Sequence, residues 1–448
     1  MIKNGTQVTV LGAARSGIAA AKLLKQLNAV PFVSDISNEE KLIDAANLLQ
    51  KEGIKYEFGK HSDKVYDSEM VIISPGVPTN SEIVKQIKAK NIRIVSELEF
   101  ASSVCKATLI AITGTNGKTT TTSLMSHVLK SCKKSSYTAG NIGLALSELT
   151  AEINEDEFVA LEVSSFQLDF IEKFKPKISM ILNITPDHLN RYDNDFGKYA
   201  ASKLKIFSNQ DVNDWLIVNA DDENLSVVNE IKSPKVFKFS LQNEVMNGAY
   251  LRNSEIIYKE NGIEEFKCSI NDIFLRGEHN YANVMAVVIA AKLLGCENEE
   301  ILLGLKSFKG VEHRLEFVRN VEGVSFINDS KATNVDSVWY ALRSFDQPIF
   351  LILGGQDKGN DYSKIENLVV DKVKKIYAIG SSADTVFKYF HKKVKVEIKY
   401  SLEECVLTAN KETNHGDIVL LSPACASFDM FKNYEHRGEV FKKAVEAL

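Results

Sequence analysis

The run Gly114-Thr115-Asn116-Gly117-Lys118-Thr119-Thr120 follows an apolar, β-branched stretch and opens the helix-period stretch TTTTSLMSHVLK (119–130). Glycines let backbone N–H groups turn toward phosphate oxygens, and the amino end of a helix adds positive potential. Lys118 has the reach for β- and γ-phosphates, and the Thr119 hydroxyl is a suitable magnesium ligand. The spacing is GxxGKT rather than the commoner GxxxxGKT, because Ile112 stands five residues before Gly117. A chance glycine turn capping a helix would not bring strand, loop, Lys-Thr and helix in that order. The chemistry is that of an ATP site.

Two further polar residues end apolar runs nearby. Glu162 closes FVALEVS and is followed by Ser164, Ser165 and Gln167; His188 follows ISMILNIT through Pro186 and Asp187. In doubly wound sheets the carboxyl ends of strands line the ligand crevice, which puts both residues on the side of the phosphate loop. A carboxylate there suits magnesium, which prefers oxygen ligands. Alone, Glu162 reads equally as a carboxylate near a helix start, and His188 as a hydrogen-bonded loop histidine. Lys203, in KYAASKLKIF, reads from pattern as a surface helical lysine.

At the amino end, residues 12–17 (GAARSG) follow a strand-like run, and Asp35 ends the next one. This resembles a dinucleotide loop with its acidic ribose ligand, except that Ala14 stands where the middle glycine lets a pyrophosphate approach. The pattern fits a nicotinamide site and a nucleotide-like fold without nicotinamide equally well. Ser74-Pro75-Gly76 ends a neighbouring run. Toward the carboxyl end, three clusters of cations and hydroxyls end apolar runs: 329–334 (DSKATN) with His313 and Arg314 upstream, the turn at 354–359 containing Lys358, and 421–438 with Ser427, Lys432, Tyr434 and Arg437. Such groups suit phosphate or carboxylate. Cys425 has no histidine close in sequence and is read as an inert thiol.

The elements that must position these residues are legible as eleven β-branched runs, at 7–12, 31–35, 70–76, 107–114, 158–164, 178–185, 215–221, 324–330, 349–355, 375–380 and 417–424. Continuous apolar strands alternating with helical stretches imply parallel sheets covered on both faces. Eleven strands are too many for one typical sheet, so the fold class is α/β with several doubly wound units. Pattern restarts place domains at 1–96, 97–309 and 310–448. Asn261-Gly262, flanked by alternating residues, predicts a hairpin within a small β excursion over 235–275.

Composition narrows the classes further. The 448 residues are 44% hydrophobic and 25% charged, with a formal net charge of −5, an ordinary globular balance that offers no attractive field to nucleic acid or an anionic membrane. The longest apolar stretch, 284–295, is interrupted by Lys292 and falls short of the roughly 20 residues a membrane span needs. The start runs directly into a strand without a signal-peptide core, and the six cysteines form no CxxC pair. These features predict a cytoplasmic protein with reduced thiols.

Taken together, GTNGKTT (114–120), GNIG (140–143), LEVSSFQL (161–168), NITPDHLNRY (183–192), ASKLKIF (201–207), GEHNYAN (277–283), EHR (312–314), NDSKATN (328–334) and LSPACASFDMFKNYEHRG (421–438) resemble the Mur ligase family across all three domains, most closely its D-glutamate-adding branch. The resemblance implies a Rossmann-like first domain, a central P-loop ATPase-like domain and a Rossmann-like third domain. It further implies an ATP-dependent ligase of peptidoglycan precursor synthesis, joining D-glutamate to UDP-N-acetylmuramoyl-L-alanine through an acyl phosphate, as a monomer with no nucleic-acid or membrane partner.

By that resemblance, Ser16, Asp35, Ser74, Gly76, Asn141, Ser164 and Gln167 fall at UDP-sugar positions. Residues 114–120, Asn283, Arg314, Asp329 and Lys331 fall at ATP positions, and Thr333, Lys358, Ser427, Phe428 and Tyr434 at D-glutamate positions. Lys118, Glu162, His188 and Lys203 would be catalytic, with Thr119, Glu162, His188 and a CO₂-derived carbamate on Lys203 around Mg²⁺. A carbamate supplies the oxygen that an ammonium cannot. Two rival classes remain on residues alone: a nicotinamide oxidoreductase and a non-catalytic ATP-gated module. A folylpolyglutamate-type amide ligase is the nearer alternative.

Overall fold

A computed structural model of the chain describes residues 3–141, 143–357 and 359–448, with residue 336 described by its backbone alone. Three sheets carry the fold. They lie in two compact units, Met1–Phe274 with Glu278–Phe308, and Leu275–Gly277 with Lys309–Leu448.

The first sheet contains β1 (Gln7–Leu11), β2 (Val30–Asp35), β3 (Lys55–Phe58), β4 (Met70–Ile73) and β5 (Arg93–Ser96), all parallel, in the order β3-β2-β1-β4-β5. Its inner strands are apolar on both faces because helices cover both: Val10, Leu11, Val71 and Ile72 are fully buried. Strand order reverses between β1 and β4, which opens a crevice at their carboxyl ends. The loop at 12–17 sits there. A Cβ on Gly17 would lie 1.9 Å from the Gly12 carbonyl oxygen, so only glycine lets the helix Arg15–Gln26 start this close to the strand.

The second sheet has nine strands: β6 (Thr108–Thr113), β7 (Ser136–Gly140), β8 (Phe158–Glu162), β9 (Ile178–Ile181), β10 (Trp215–Asn219), β11 (Lys235–Ser240), β12 (Gly248–Arg252), β13 (Glu255–Glu260) and β14 (Ile263–Ser269), in the order β14-β13-β12-β11-β10-β9-β6-β8-β7. The β excursion expected over 235–275 is the edge of this sheet. β11 and β12 continue the parallel pairing, and β12, β13 and β14 form an antiparallel meander. The expected hairpin turns at Asn261 and Gly262, both at positive φ (51° and 79°), as a type I′ connection requires. The apolar stretch at 284–295 lies mostly within the helix Glu278–Leu293, whose residues 284–291 are fully buried. Among the described residues no helix is long and apolar enough to cross a membrane.

The third sheet, in the second unit, orders β15 (Glu316–Val321), β16 (Val324–Asn328), β17 (Ile349–Gly354), β18 (Val373–Ile379), β19 (Lys395–Ile398) and β20 (Ile418–Leu421) as β15-β16-β20-β17-β18-β19, with only β15 antiparallel. All six cysteines are free thiols, and all but the half-buried Cys105 are buried.

Within the first unit, two buried carboxylates tie the helix Glu97–Ser102, which follows β5, to the central sheet. Glu99 accepts from the backbone N–H groups of Glu172, Lys173 and Phe174 at 2.9, 3.0 and 2.8 Å. Glu97 accepts from the Ser147 N–H and hydroxyl at 2.8 and 2.6 Å, while its burial pushes the carboxyl above its usual value. The exposed Arg93–Glu172 pair at 2.7 Å adds little beside them.

In the second unit one guanidinium does the equivalent work. Arg437, 1% exposed, donates from Nε to Ser330 Oγ (3.0 Å), from Nη2 to the Ser330 carbonyl (2.7 Å) and from Nη1 to the Cys425 and Ala426 carbonyls (3.1 and 3.4 Å). The loops after β16 and β20 and the helix Tyr434–Glu446 therefore share one fork of donors, and burial lowers the pKa of the group to about 10. Arg437→Met leaves buried carbonyls without their donors and should cost roughly 3 kcal/mol. Chemical denaturation measures this as a lower midpoint; a midpoint equal to the parent's would remove Arg437 from this role.

Candidate active site

The loop at 114–117 joins β6 to the helix Lys118–Ser131. Gly117 has φ 85°, and a Cβ there would lie 2.5 Å from Asn283 Oδ1, so the loop needs glycine both for its backbone and for the approach of Asn283. Lys118 Nζ donates to the carbonyls of Gly114 and Thr115 at 2.8 and 2.7 Å. The segment after β9 braces the loop. Thr115 N–H donates to the Asn183 carbonyl (2.9 Å), Asn116 N–H to Asn183 Oδ1 (2.8 Å), and the Thr115 hydroxyl to the Thr185 carbonyl (2.9 Å).

Glu162, 2% exposed at the carboxyl end of β8, accepts from the Thr119 hydroxyl at 2.8 Å and from Asn141 Nδ2 at 2.9 Å. A carboxylate and a hydroxyl thus meet at the amino-terminal turn of a helix that follows a phosphate-type loop. This donor set is all oxygen, the kind Mg²⁺ takes, so the residues present fit that ion.

Lys203 lies in the last turn of the helix Phe196–Leu204, 2% exposed, and its Nζ donates to the same Gly114 carbonyl at 2.7 Å. Its ammonium sits 4.9 Å over the Tyr199 ring, one turn back, and the Tyr199 hydroxyl lies 3.1 Å from Thr115 Oγ1. Burial and the neighbouring Lys118 cation hold the Lys203 ammonium well below its ordinary pKa, against the opposing pull of Asp187 and Glu162. His188 has φ 51° and stands edge-on to Phe166, ring centroids 5.9 Å apart. Partial desolvation depresses its pKa, Asp187 opposes this, and Lys118, Arg191 and Lys203 add to the depression.

The first-sheet residues gather at the carboxyl ends of β1, β2 and β4. Asp35 accepts from the N–H groups of Ala13 (2.7 Å) and Ser37 (2.8 Å), so its carboxylate is bonded to the loop at 12–17. Ser74 is buried against that loop, its hydroxyl 3.3 Å from the Gly12 carbonyl. Ser16 lies in the first turn of the following helix, and Gly76 is exposed in its turn. Ser164 and Gln167 form a capping box on the short helix Ser165–Leu168, with the Ser164 N–H and hydroxyl donating to Gln167 Oε1 at 2.9 and 2.8 Å.

In the second unit Asp329 is buried, accepts from the Ser422 hydroxyl (2.8 Å) and the Leu315 N–H (3.2 Å), and is pushed up to about 6 by burial, against the pull of Arg314. Lys331 sits 5.6 Å over the Tyr434 ring, which meets His313 edge-on. The Thr333 N–H donates to the Lys331 carbonyl (2.9 Å); Ser427 is buried and Phe428 is 67% exposed. Lys358 lies outside the described residues. Glu312, His313 and Glu439 bring ligand atoms within 4.8 Å of one another. Lys442 already pairs with Glu312 (2.5 Å), Glu316 (3.1 Å) and Glu439 (3.5 Å), supplying the positive charge a cation would bring.

Four residues of the central site were not singled out by sequence reasoning: Asn183, Asp187, Arg191 and Tyr199. The four-residue spacing of Tyr199 and Lys203 on a helix, which puts them on one face, was a usable signal. The other three lie on an irregular segment with no period to read.

Family signatures cover the chain in three parts: the MurD N-terminal domain over residues 8–83, the Mur ligase middle domain over 112–291, and the glutamate ligase domain of Mur ligases over 313–425. The UDP-N-acetylmuramoylalanine--D-glutamate ligase of Chloroherpeton thalassium is 43% identical, over 99% of this chain and 98% of its own length. The enzyme of the same name from Salinibacter ruber is 42% identical over the same shares. Among solved structures, the UDP-N-acetylmuramate-alanine ligase MurC of Thermotoga maritima superposes with a TM-score of 0.63 at 19% identity, covering 98% of this chain and 99% of that one, a likeness of fold. With three signatures in this order, and relatives more than two-fifths identical from end to end, the chain belongs to the Mur ligase family.

Proposed function

We propose that this chain is an ATP-dependent ligase that forms an amide between UDP-N-acetylmuramoyl-L-alanine and D-glutamate, in the cytoplasm and as a monomer, for peptidoglycan precursor synthesis. The observation that carries the reading is the convergence of Lys118, Thr119, Glu162 and Lys203 on the loop at 114–119. Relatives bearing that activity in their names, 42–43% identical along the whole chain, support the choice of amino acid. The domains proposed are 1–96 for the UDP portion, 97–309 for ATP and 310–448 for the amino acid.

A carboxylate is a poor electrophile, and phosphorylation gives it a leaving group. The carboxylate of the UDP substrate takes the γ-phosphoryl group of ATP, giving an acyl phosphate and ADP. The amine of D-glutamate then adds to the acyl carbon, and the tetrahedral intermediate expels phosphate. Phosphoryl transfer depends mainly on positioning and neutralised charge. Lys118 supplies positive charge beside the β- and γ-phosphates, and the backbone N–H groups of 114–120 cradle them. Thr119, Glu162, His188 and the modified Lys203 would hold Mg²⁺, which would supply positive charge against the phosphates. Asn283, Arg314, Asp329 and Lys331 serve the nucleotide. Thr333, Lys358, Ser427, Phe428 and Tyr434 receive D-glutamate, while Ser16, Asp35, Ser74, Gly76, Asn141, Ser164 and Gln167 receive the UDP-sugar.

The modification of Lys203 has a local cause. Burial and the Lys118 cation disfavour the Lys203 ammonium and so favour the neutral amine that CO₂ requires, and the carbamate would place an anion beside Lys118. As pH falls the amine protonates and the carbamate is lost. A ¹³CO₂-labelled sample should therefore show a carbamate carbon that fades on acidification and is absent from Lys203→Ala; a parent protein without that signal would remove the carbamate. Lys203→Ala should be inactive and partly rescued by a short carboxylic acid.

The reading is tested by phosphate release with ATP, Mg²⁺ and UDP-N-acetylmuramoyl-L-alanine across a panel of D- and L-amino acids. Release is expected with D-glutamate alone, with a product heavier by one glutamyl residue; release only with another amino acid would reassign the step. Lys118→Ala should lower turnover by at least about a thousandfold, as loss of a charge contact to the transferring group does. Near-parental turnover in that variant would sink the ATP-site assignment.

A further inference from the structure

Arg191 is in none of the ligand-binding sets proposed above, yet it joins two of them. It ends the single 3-10 turn Leu189–Arg191, which begins right after His188, and its backbone N–H donates to the His188 carbonyl at 3.0 Å. Its guanidinium leaves the central domain. Nη1 donates to the Pro75 carbonyl at 2.8 Å, and Nη2 reaches the Gly76 carbonyl at 3.3 Å, both in the turn after β4 of the first sheet. The guanidinium carbon lies over the Phe166 ring, 4.4 Å from its centroid, and Phe166 stands edge-on to His188. Asp193 and Asn194, both at positive φ, fold the chain back so that the Asn194 N–H returns to the Leu189 carbonyl at 2.9 Å and holds the turn that carries Arg191.

The far end of this contact is equally built. The 74–76 turn is packed beneath the loop at 12–17: a Cβ on Gly12 would lie 2.9 Å from Ser74 Cβ, and the Val77 N–H closes the turn onto the Ser74 carbonyl at 3.1 Å. A displacement of the turn is therefore transmitted to residues 12–17 and to Asp35, whose carboxylate is bonded to Ala13 N–H. The first and central domains lie in one compact unit, so this chain of contacts is continuous from the first-sheet crevice to His188.

We propose that Arg191 is a positioning residue that sets the distance between the UDP-sugar crevice and the phosphate loop, so that the substrate carboxylate arrives in line with the γ-phosphate. This rests on the function proposed above. The fork geometry is the reason for arginine. Two carbonyls and an aromatic ring around one group suit a planar, forked guanidinium, whereas a lysine ammonium is a point charge that does not meet all three.

The test uses the full-length protein and three variants, Arg191→Ala, Arg191→Lys and Phe166→Leu. Arg191→Ala should raise the KM for UDP-N-acetylmuramoyl-L-alanine and lower kcat, each by about tenfold, the effect of losing charge-assisted hydrogen bonds that orient a reactant. The dissociation constant for ADP should stay within about twofold of the parent's, because no contact to residues 114–120 is removed. Arg191→Lys should recover little, and Phe166→Leu should fall between parent and Arg191→Ala. Amide hydrogen exchange at residues 74–77 should quicken in Arg191→Ala.

A variant with parental KM, kcat and exchange overturns the inference. So does equal weakening of ADP and UDP-substrate binding, which marks general loosening instead of positioning. The two hypotheses fail separately. A parent protein without D-glutamate-dependent phosphate release overturns the proposed function, and with it the catalytic meaning of Arg191, while the exchange measurement still decides whether Arg191 restrains the turn.

Discussion

Two lysine ammonium groups donate to one carbonyl oxygen, that of Gly114, and the rest of the central site is organised around that crowding. Like charges this close, one of them buried, need compensation, because a low-dielectric surrounding enlarges their repulsion. Glu162 and Asp187 provide part of it, as their pull on Lys203 records. The remainder falls on Lys203 itself, whose ammonium is disfavoured. The two lysines therefore differ electrostatically although they share one acceptor. The difference comes from position: Lys118 lies at the open amino end of a helix, and Lys203 in the packed last turn of another.

That arrangement holds only because separate segments are bonded to each other. Asn183 and Thr185 clamp the phosphate loop from the segment after β9, and Tyr199 touches Thr115 from the helix that carries Lys203. Glu99 then ties the helix after β5 to residues 172–174 by accepting three backbone amides, and Arg191 ties the segment after β9 to the turn after β4 by donating to two carbonyls. Buried or half-buried charges placed on backbone groups recur here, with Arg437 as the counterpart in the second unit. Charge-assisted bonds are shorter and stronger than neutral ones, which suits them to fixing loops that carry no regular ladder of their own.

How much of the fold was legible follows from burial. All eleven apolar runs are strands, and they are the inner ones, where helices on both faces demand continuous apolar sequence. Apart from β11 to β14, which make up the expected β excursion, the strands that no run announced, β3, β5, β7, β15 and β19, are every one at a sheet edge. An edge strand is half solvated, so β3 (KYEF) and β19 (KVEI) carry charge and have no apolar signature. The β13–β14 hairpin was legible despite lying at an edge because Asn-Gly specifies its turn chemically.

The candidate site divides the same way. Sequence by itself determined the glycine-containing loop between β6 and its helix, the polar residues at strand ends and the α/β class, since each depends on residue type and local spacing. It could not distinguish Lys203 from any surface lysine, nor select Asn183, Asp187 or Arg191 from an aperiodic segment. Those roles were decided by tertiary structure alone: burial, the neighbouring Lys118 and the carbonyls of Gly114, Pro75 and Gly76 come from chain segments up to 116 residues away. Desolvation and through-space charge depend on distance in the folded molecule, and distance along the chain carries no record of them.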